Sequence, residues 1–179
     1  MGKPLLFALR ALGLGDFLVG VPAYRALRRA FPEHELRLAT TAGVAALAAT
    51  ARCIDSIAPA KGPAEFAAPG RPVDIAVNLH GRGPQSTSAL RALHPTRLIS
   101  FRGPGSDGLG AAPPWDDAWP GHERQRWCHL LEAFGVAADA EDFRLRPPEH
   151  EPLVRNAVVV HPGAAFDARR WPLIRSPQS

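Results

Sequence analysis

Pro4-Leu5-Leu6-Phe7-Ala8-Leu9, followed by Leu12-Gly13-Leu14-Gly15-Asp16 and the run from Phe17 to Phe31, opens the chain as strand, glycine turn and helix. The first run is apolar throughout and short, which suits one buried strand. In the last, Phe17, Val21, Tyr24, Leu27 and Phe31 recur at steps of three or four, one face of a helix. The glycines between them let a backbone turn tightly and approach a ligand closely. The helix start offers free N–H groups and a positive dipole end. Asp16 then has two readings. It stands where a helix N-cap would be, and Asp is a preferred cap. Alternatively it projects from the carboxyl end of the strand, where open α/β sheets bind ligands.

Outward from that unit the pattern repeats. Phe31-Pro32-Glu33 stops the helix, because proline cannot continue it. Strands are expected at Glu35–Ala39, Ile54–Ala58, Val73–Asn78 and Arg97–Phe101, with helices over Ala42–Ala51 and Gln85–Leu93. Strands alternating with helices predict a parallel sheet covered on both faces. Pro59–Pro72 and Arg102–Gly121 read as loops, the second long and carrying Trp115 and Trp119. A helix opening near Gly121 shows Trp127, Leu130, Leu131 and Phe134 on one face and ends at Gly135, a C′ glycine. Arg146–Pro152 has linker composition, and Ala157–Val160 reads as a further buried strand running into His161-Pro162-Gly163-Ala164. That strand either joins the first sheet or opens another domain; the expected division is residues 1–146, a linker over 147–156, and the start of a second domain at 157–179.

Composition narrows the classes. With 179 residues, 46% hydrophobic and 21% charged, the chain has the profile of a globular protein. No run approaches the roughly 18 apolar residues of a membrane span. The N-terminus reads as strand and helix rather than as a signal peptide, so the expected compartment is the cytoplasm. Net charge is +4, and of 21 basic residues only Lys3 and Lys61 are lysine. The arginines are scattered, with no basic stripe interleaved with aromatics, which argues against a nucleic-acid partner. Cys53 and Cys128 form no CxxC pair and read as reduced core residues.

Several motifs admit a sharp and a plain reading. Gly13-x-Gly15 fits the first half of a dinucleotide fingerprint, but Leu18 occupies the third glycine position and Ala39-Thr40-Thr41 offers no ribose-binding acid. A nicotinamide cofactor is therefore not expected. Asn78-Leu79-His80-Gly81-Arg82-Gly83 is a polar, glycine-rich loop at a strand's carboxyl end, on the same edge as Asp16 if the sheet is parallel; the plain reading is a solvated loop. His161-Pro162-Gly163-Ala164 could present amides to a phosphate, with Arg169 and Arg170 following; the plain reading is a strand-end turn. The seven histidines show no metal-ligand spacing, and no metal is expected.

Taken in order, Gly13-Leu14-Gly15-Asp16, Pro22, Leu27-Arg28 to Phe31-Pro32, His122-Glu123-x-x-Arg126 with Leu130-Leu131 and Gly135, and His161-Pro162-Gly163-Ala164 before Arg170-Trp171-Pro172 resemble family 9 glycosyltransferases, the ADP-heptose:lipopolysaccharide heptosyltransferases and their relatives. The resemblance implies an α/β fold: the Rossmann-like N-terminal domain of a GT-B protein plus the start of its second domain. It implies no cofactor, a nucleotide diphosphate sugar such as ADP-heptose as donor, and a cell-envelope glycan as acceptor, with peripheral association at the inner face of the membrane through that acceptor. It makes Asp16 the catalytic base. Gly13, Gly15, Asn78, His80 and Arg82 fall on the acceptor side. His161, Gly163, Ala164 and Arg169 fall on the donor side, Arg169 standing where lysine is more usual. After Pro172 the stretch Leu173–Ser179 departs from the family pattern, as a frameshift or premature stop would produce. The expectation is an inverting sugar transferase of which this chain is an inactive fragment. The alternatives are a module that binds a glycan or a partner without catalysis, and an inert product.

Overall fold

The structure, a computed structural model, describes residues 2–103, 112–146, 151, 154–158 and 160. The chain divides into two compact units, Met1–Pro147 and Pro148–Ser179. In the first, the elements run β1 (Leu5–Leu9), α1 (Leu14–Ala30), β2 (Glu35–Thr40), α2 (Ala42–Ala51), β3 (Ser56–Pro59), β4 (Ile75–Asn78), α3 (Gln85–Arg91), β5 (Arg97–Ile99) and α4 (Glu123–Ala133). All four strand pairings are parallel, in the order β3-β2-β1-β4-β5, a Rossmann-like arrangement.

β1 is apolar at every position because the sheet is covered on both sides. Leu6 and Ala8 join Phe17, Val21, Tyr24, Leu27, Leu38, Trp127 and Leu131 on one face. Leu5, Phe7 and Leu9 join Ala39, Ala76 and Leu90 on the other. The Pro59–Pro72 loop helps to cover this second face, with the Phe66 ring 5.3 Å from that of Phe7. α4 begins with a capping box at His122: Nδ1 accepts from the Arg124 N–H at 3.2 Å, and Gln125 Oε1 accepts from the His122 N–H at 2.8 Å. It ends as the sequence predicts. Gly135 has φ 80°, its N–H donates to the Glu132 carbonyl and the Val136 N–H to the Leu131 carbonyl, the Schellman pattern.

One expectation needs correction. The strand placed over Ala157–Val160 is not formed at its described residues: Ala157, Val158 and Val160 are irregular, and Val158 is 93% exposed. An apolar run becomes a strand only where a neighbour pairs its backbone, and Ala157, Val158 and Val160 lie in no strand. The long loop after β5 is in part an ordered cover. Arg102 pairs with Pro114, and the Trp115 ring lies 5.2 Å from Phe101 and 6.0 Å from Trp127.

Candidate functional site

The strand order reverses between β1 and β4. The chain steps outward from β1 to β2 and β3, then returns to lay β4 against the other side of β1. In open α/β sheets the crevice at the carboxyl ends of such a pair is where ligands bind. Leu9 is in register with Asn78, so the turn that leads to α1 and the turn that leads to α3 leave the sheet side by side.

Asp16 is not the helix cap. Helix α1 starts three residues earlier than the cap reading requires, with Gly13 at N-cap and no side-chain cap bond. Asp16 is therefore the third residue of the first turn, where the macrodipole favours an acid. Its side chain is 48% exposed. Gly13 has φ −77°, open to any residue, so left-handed backbone is not its reason for being there. Both Gly13 and Gly15 are exposed, and a Cβ at Gly15 would meet nothing within 4 Å. What the two glycines do is leave the surface around the carboxylate bare.

Across the crevice, the half-buried His80 faces the same turn. Its Nδ1 accepts the Ala11 N–H at 3.3 Å. Its Nε2 therefore carries the proton in the neutral ring and can donate. Burial, then the Arg10 charge, pulls the His80 pKa below its ordinary value, against a smaller opposing pull from Asp16. The neutral ring is the form that holds the Ala11 bond.

Asn78 has a different place from the one expected of a substrate ligand. It is fully buried. Its Nδ2 lies 3.0 Å from both Ser86 and Thr87 hydroxyls and 3.2 Å from that of Ser100, while Oδ1 accepts the His80 N–H at 3.1 Å. It shapes the turn that carries His80 and offers no free group to the crevice. Arg82 is exposed and paired with Asp117 at 2.5 Å, joining the loop after β4 to the Trp115 segment. His161, Gly163, Ala164 and Arg169 lie outside the described residues.

The residue that sequence reading missed is Arg10, directly after β1 and only 1% exposed. Its Nε donates to the Asp16 carbonyl and its Nη1 to the Leu79 carbonyl, with Nη2 3.5 Å from Asp16 Oδ1. The guanidinium lies over the Trp127 ring, 4.6 Å from its centroid. Burial lowers its pKa, while the surrounding acids and Tyr24 favour the charge. Trp127 is set in turn by α4, where Arg126 stacks 4.1 Å over Trp115 and bonds Glu123 at 3.0 Å. Arg126 thus supports Trp115, whose ring lies 6.0 Å from the Trp127 ring under Arg10. The only sequence signal was an arginine at the end of an apolar strand, where a buried charge must find partners.

No protein-family model matches the sequence, and no curated protein matches it. Among solved structures, the chain is similar to the glycosyl transferase family 9 from Veillonella parvula DSM 2008, at 15% identity and a TM-score of 0.63, over 83% of this chain and 47% of that one. It is similar as well to the E. coli ADP-heptose lps heptosyltransferase II, at 14% identity and a TM-score of 0.59, over 81% of this chain and 47% of that one. The fold is that of these glycosyltransferase chains. At this identity the likeness is one of fold, and the chain spans about half the length of the solved structures it matches. The carboxyl edge of the sheet thus carries a half-exposed carboxylate on one loop and, on the neighbouring loop, a half-buried histidine whose Nδ1 is taken by Ala11. Such a pair can hold a hydroxyl and take its proton. Among the described residues no group of three His, Cys, Asp or Glu could hold a metal ion, and no helix is long and apolar enough to cross a membrane.

Proposed function

We propose that the chain is the acceptor side of an inverting glycosyltransferase that moves a heptose-like sugar from a nucleotide diphosphate to a cell-envelope glycan. The observation that carries this reading is the half-exposed Asp16 carboxylate at the point where the strand order reverses. Asp16 accepts the acceptor hydroxyl's proton as the new bond to C1 forms and the bond from C1 to the diphosphate breaks. An aspartate is a weak base, so proton transfer comes late, as the alkoxide develops. His80, through Nε2–H, orients the acceptor oxygen. Arg169 and the amides after Gly163 are assigned to the leaving diphosphate, which departs as an anion. No resident cofactor takes part. The compartment is the cytoplasm, at the membrane's inner face where the acceptor lies.

The test is sugar-nucleotide consumption by this chain and by a two-domain protein in which it supplies the first half. The chain by itself should transfer no sugar, and the two-domain protein should. In the latter, Asp16→Ala should lower turnover by about 10²–10⁴-fold, the usual worth of a general base, with donor affinity unchanged. Full turnover by Asp16→Ala would overturn the base assignment. Glycan binding without turnover in any form would instead favour the non-catalytic module.

A further inference from the structure

We infer that Arg10 is a positioning residue that fixes Asp16 and the His80 turn as one rigid unit; this rests on the reading of Asp16 as the base. The geometry carries the inference. One planar guanidinium reaches the carbonyl of the residue that bears the carboxylate and the carbonyl of the residue before His80, from separate nitrogens. A planar fork holds the two carbonyls in a fixed geometry from separate nitrogens, which the rotatable donors of one ammonium nitrogen do not. The turn is closed from the other side as well, since the Ala11 N–H, one residue after Arg10, bonds His80. The Leu79 N–H reaches back to the Leu9 carbonyl at 3.1 Å. The two loops that flank the crevice are thus stitched at three points, with Arg10 in the middle and the Trp127 face beneath it.

Stability alone does not explain an arginine here. Taking a guanidinium out of water is costly, and apolar replacement of buried charges is often neutral or stabilising. A methionine would fill much of the same volume. What arginine adds is direction: it sets the distance between two loops whose tips carry the proposed base and the proposed donor. Productive geometry in such sites tolerates displacements of only about half an ångström.

The experiment is amide hydrogen exchange on the whole chain, which involves no sugar transfer. In Arg10→Met, the amides of Ala11, bonded to His80, and Phe17, bonded to Gly13 in the first turn of α1, should exchange about tenfold faster or more, while Leu6 and Leu38 in the core strands stay within about twofold, the mark of local opening. Unchanged exchange at Ala11 and Phe17, or one equal acceleration of all four, would overturn the inference, the second because it describes a mere stabiliser. Should Arg10→Met not fold, Arg10→Lys keeps the buried charge on a single nitrogen. One of the two sites should then open while the other stays protected, and protection of both would refute the fork. Asp16→Ala in the transfer assay tests the base separately, so either idea can fail alone.

Discussion

At the residue scale, Asn78 and His80 show how a buried amide supports a surface group. Asn78 serves three hydroxyls and a backbone N–H. Asn78→Ala takes a shared partner from the Ser86 hydroxyl and the His80 N–H, while Thr87 and Ser100 keep their bond to each other, and should destabilise the chain by about 1–3 kcal/mol, read as a drop in urea midpoint. His80 gives a pH signature. Its native pKa lies below the unfolded value near 6.5, so above pH 6.5 both states hold it neutral and the stability is complete. As pH falls through 6.5 the unfolded state takes up the proton first, and stability declines until pH passes the native value. A urea titration between about pH 7.5 and 5 should show this loss, and His80→Gln should flatten it. A slope unchanged in the variant would assign the loss to other groups.

At the element scale, two glycines of one helix separate conformational preference from space. Gly15 has open room, so Gly15→Ala should raise stability by up to about 1 kcal/mol through helix propensity. Gly20 is walled in. A Cβ there would stand 2.4 Å from the Tyr24 hydroxyl and 3.1 Å from Arg10 Cδ. Gly20→Ala should therefore cost about 1–3 kcal/mol by overpacking, despite the same propensity gain. Thermal melts of the two variants should move in opposite directions. Both changes fall in α1, whose periodic face was legible in the sequence. Which glycine has room was not, because Tyr24 approaches Gly20 from one turn on and Arg10 from the turn after β1.

At the scale of the molecule, Met1–Pro147 forms a compact unit by itself. Its last stretch is clasped to α1, where Arg25 and Arg29 bond the two carboxylate oxygens of Asp142 at 2.6 and 2.5 Å. A chain ended after Pro147 should therefore melt cooperatively within about 3 °C of the full chain, whereas Asp142→Ala should lower the melting temperature in both. Failure of the shortened chain to fold would show that residues past the Pro-rich segment complete its core.

From β1 to α4 the kinds of element and their order follow from the sequence alone, because apolar period and Gly/Pro punctuation are local. β1, α1, β2, α2 and α4 fall within a few residues of where the pattern places them, and Gly135 ends its helix as read. Alternation of strand and helix likewise implies a parallel sheet, and hence an edge on which Asp16 and His80 could meet. What tertiary structure decided is which side chains are free at that edge. Asp16 escaped the capping role because α1 starts at Leu14. Asn78, polar and loop-adjacent in sequence, became a core residue because Ser86, Thr87 and Ser100 fold over it. Arg10 became the link between two loops because the Leu79 carbonyl, 69 residues on, and the Trp127 face converge on it. Such partners come together only when the sheet closes and the helices pack, and no local pattern in the chain encodes that meeting.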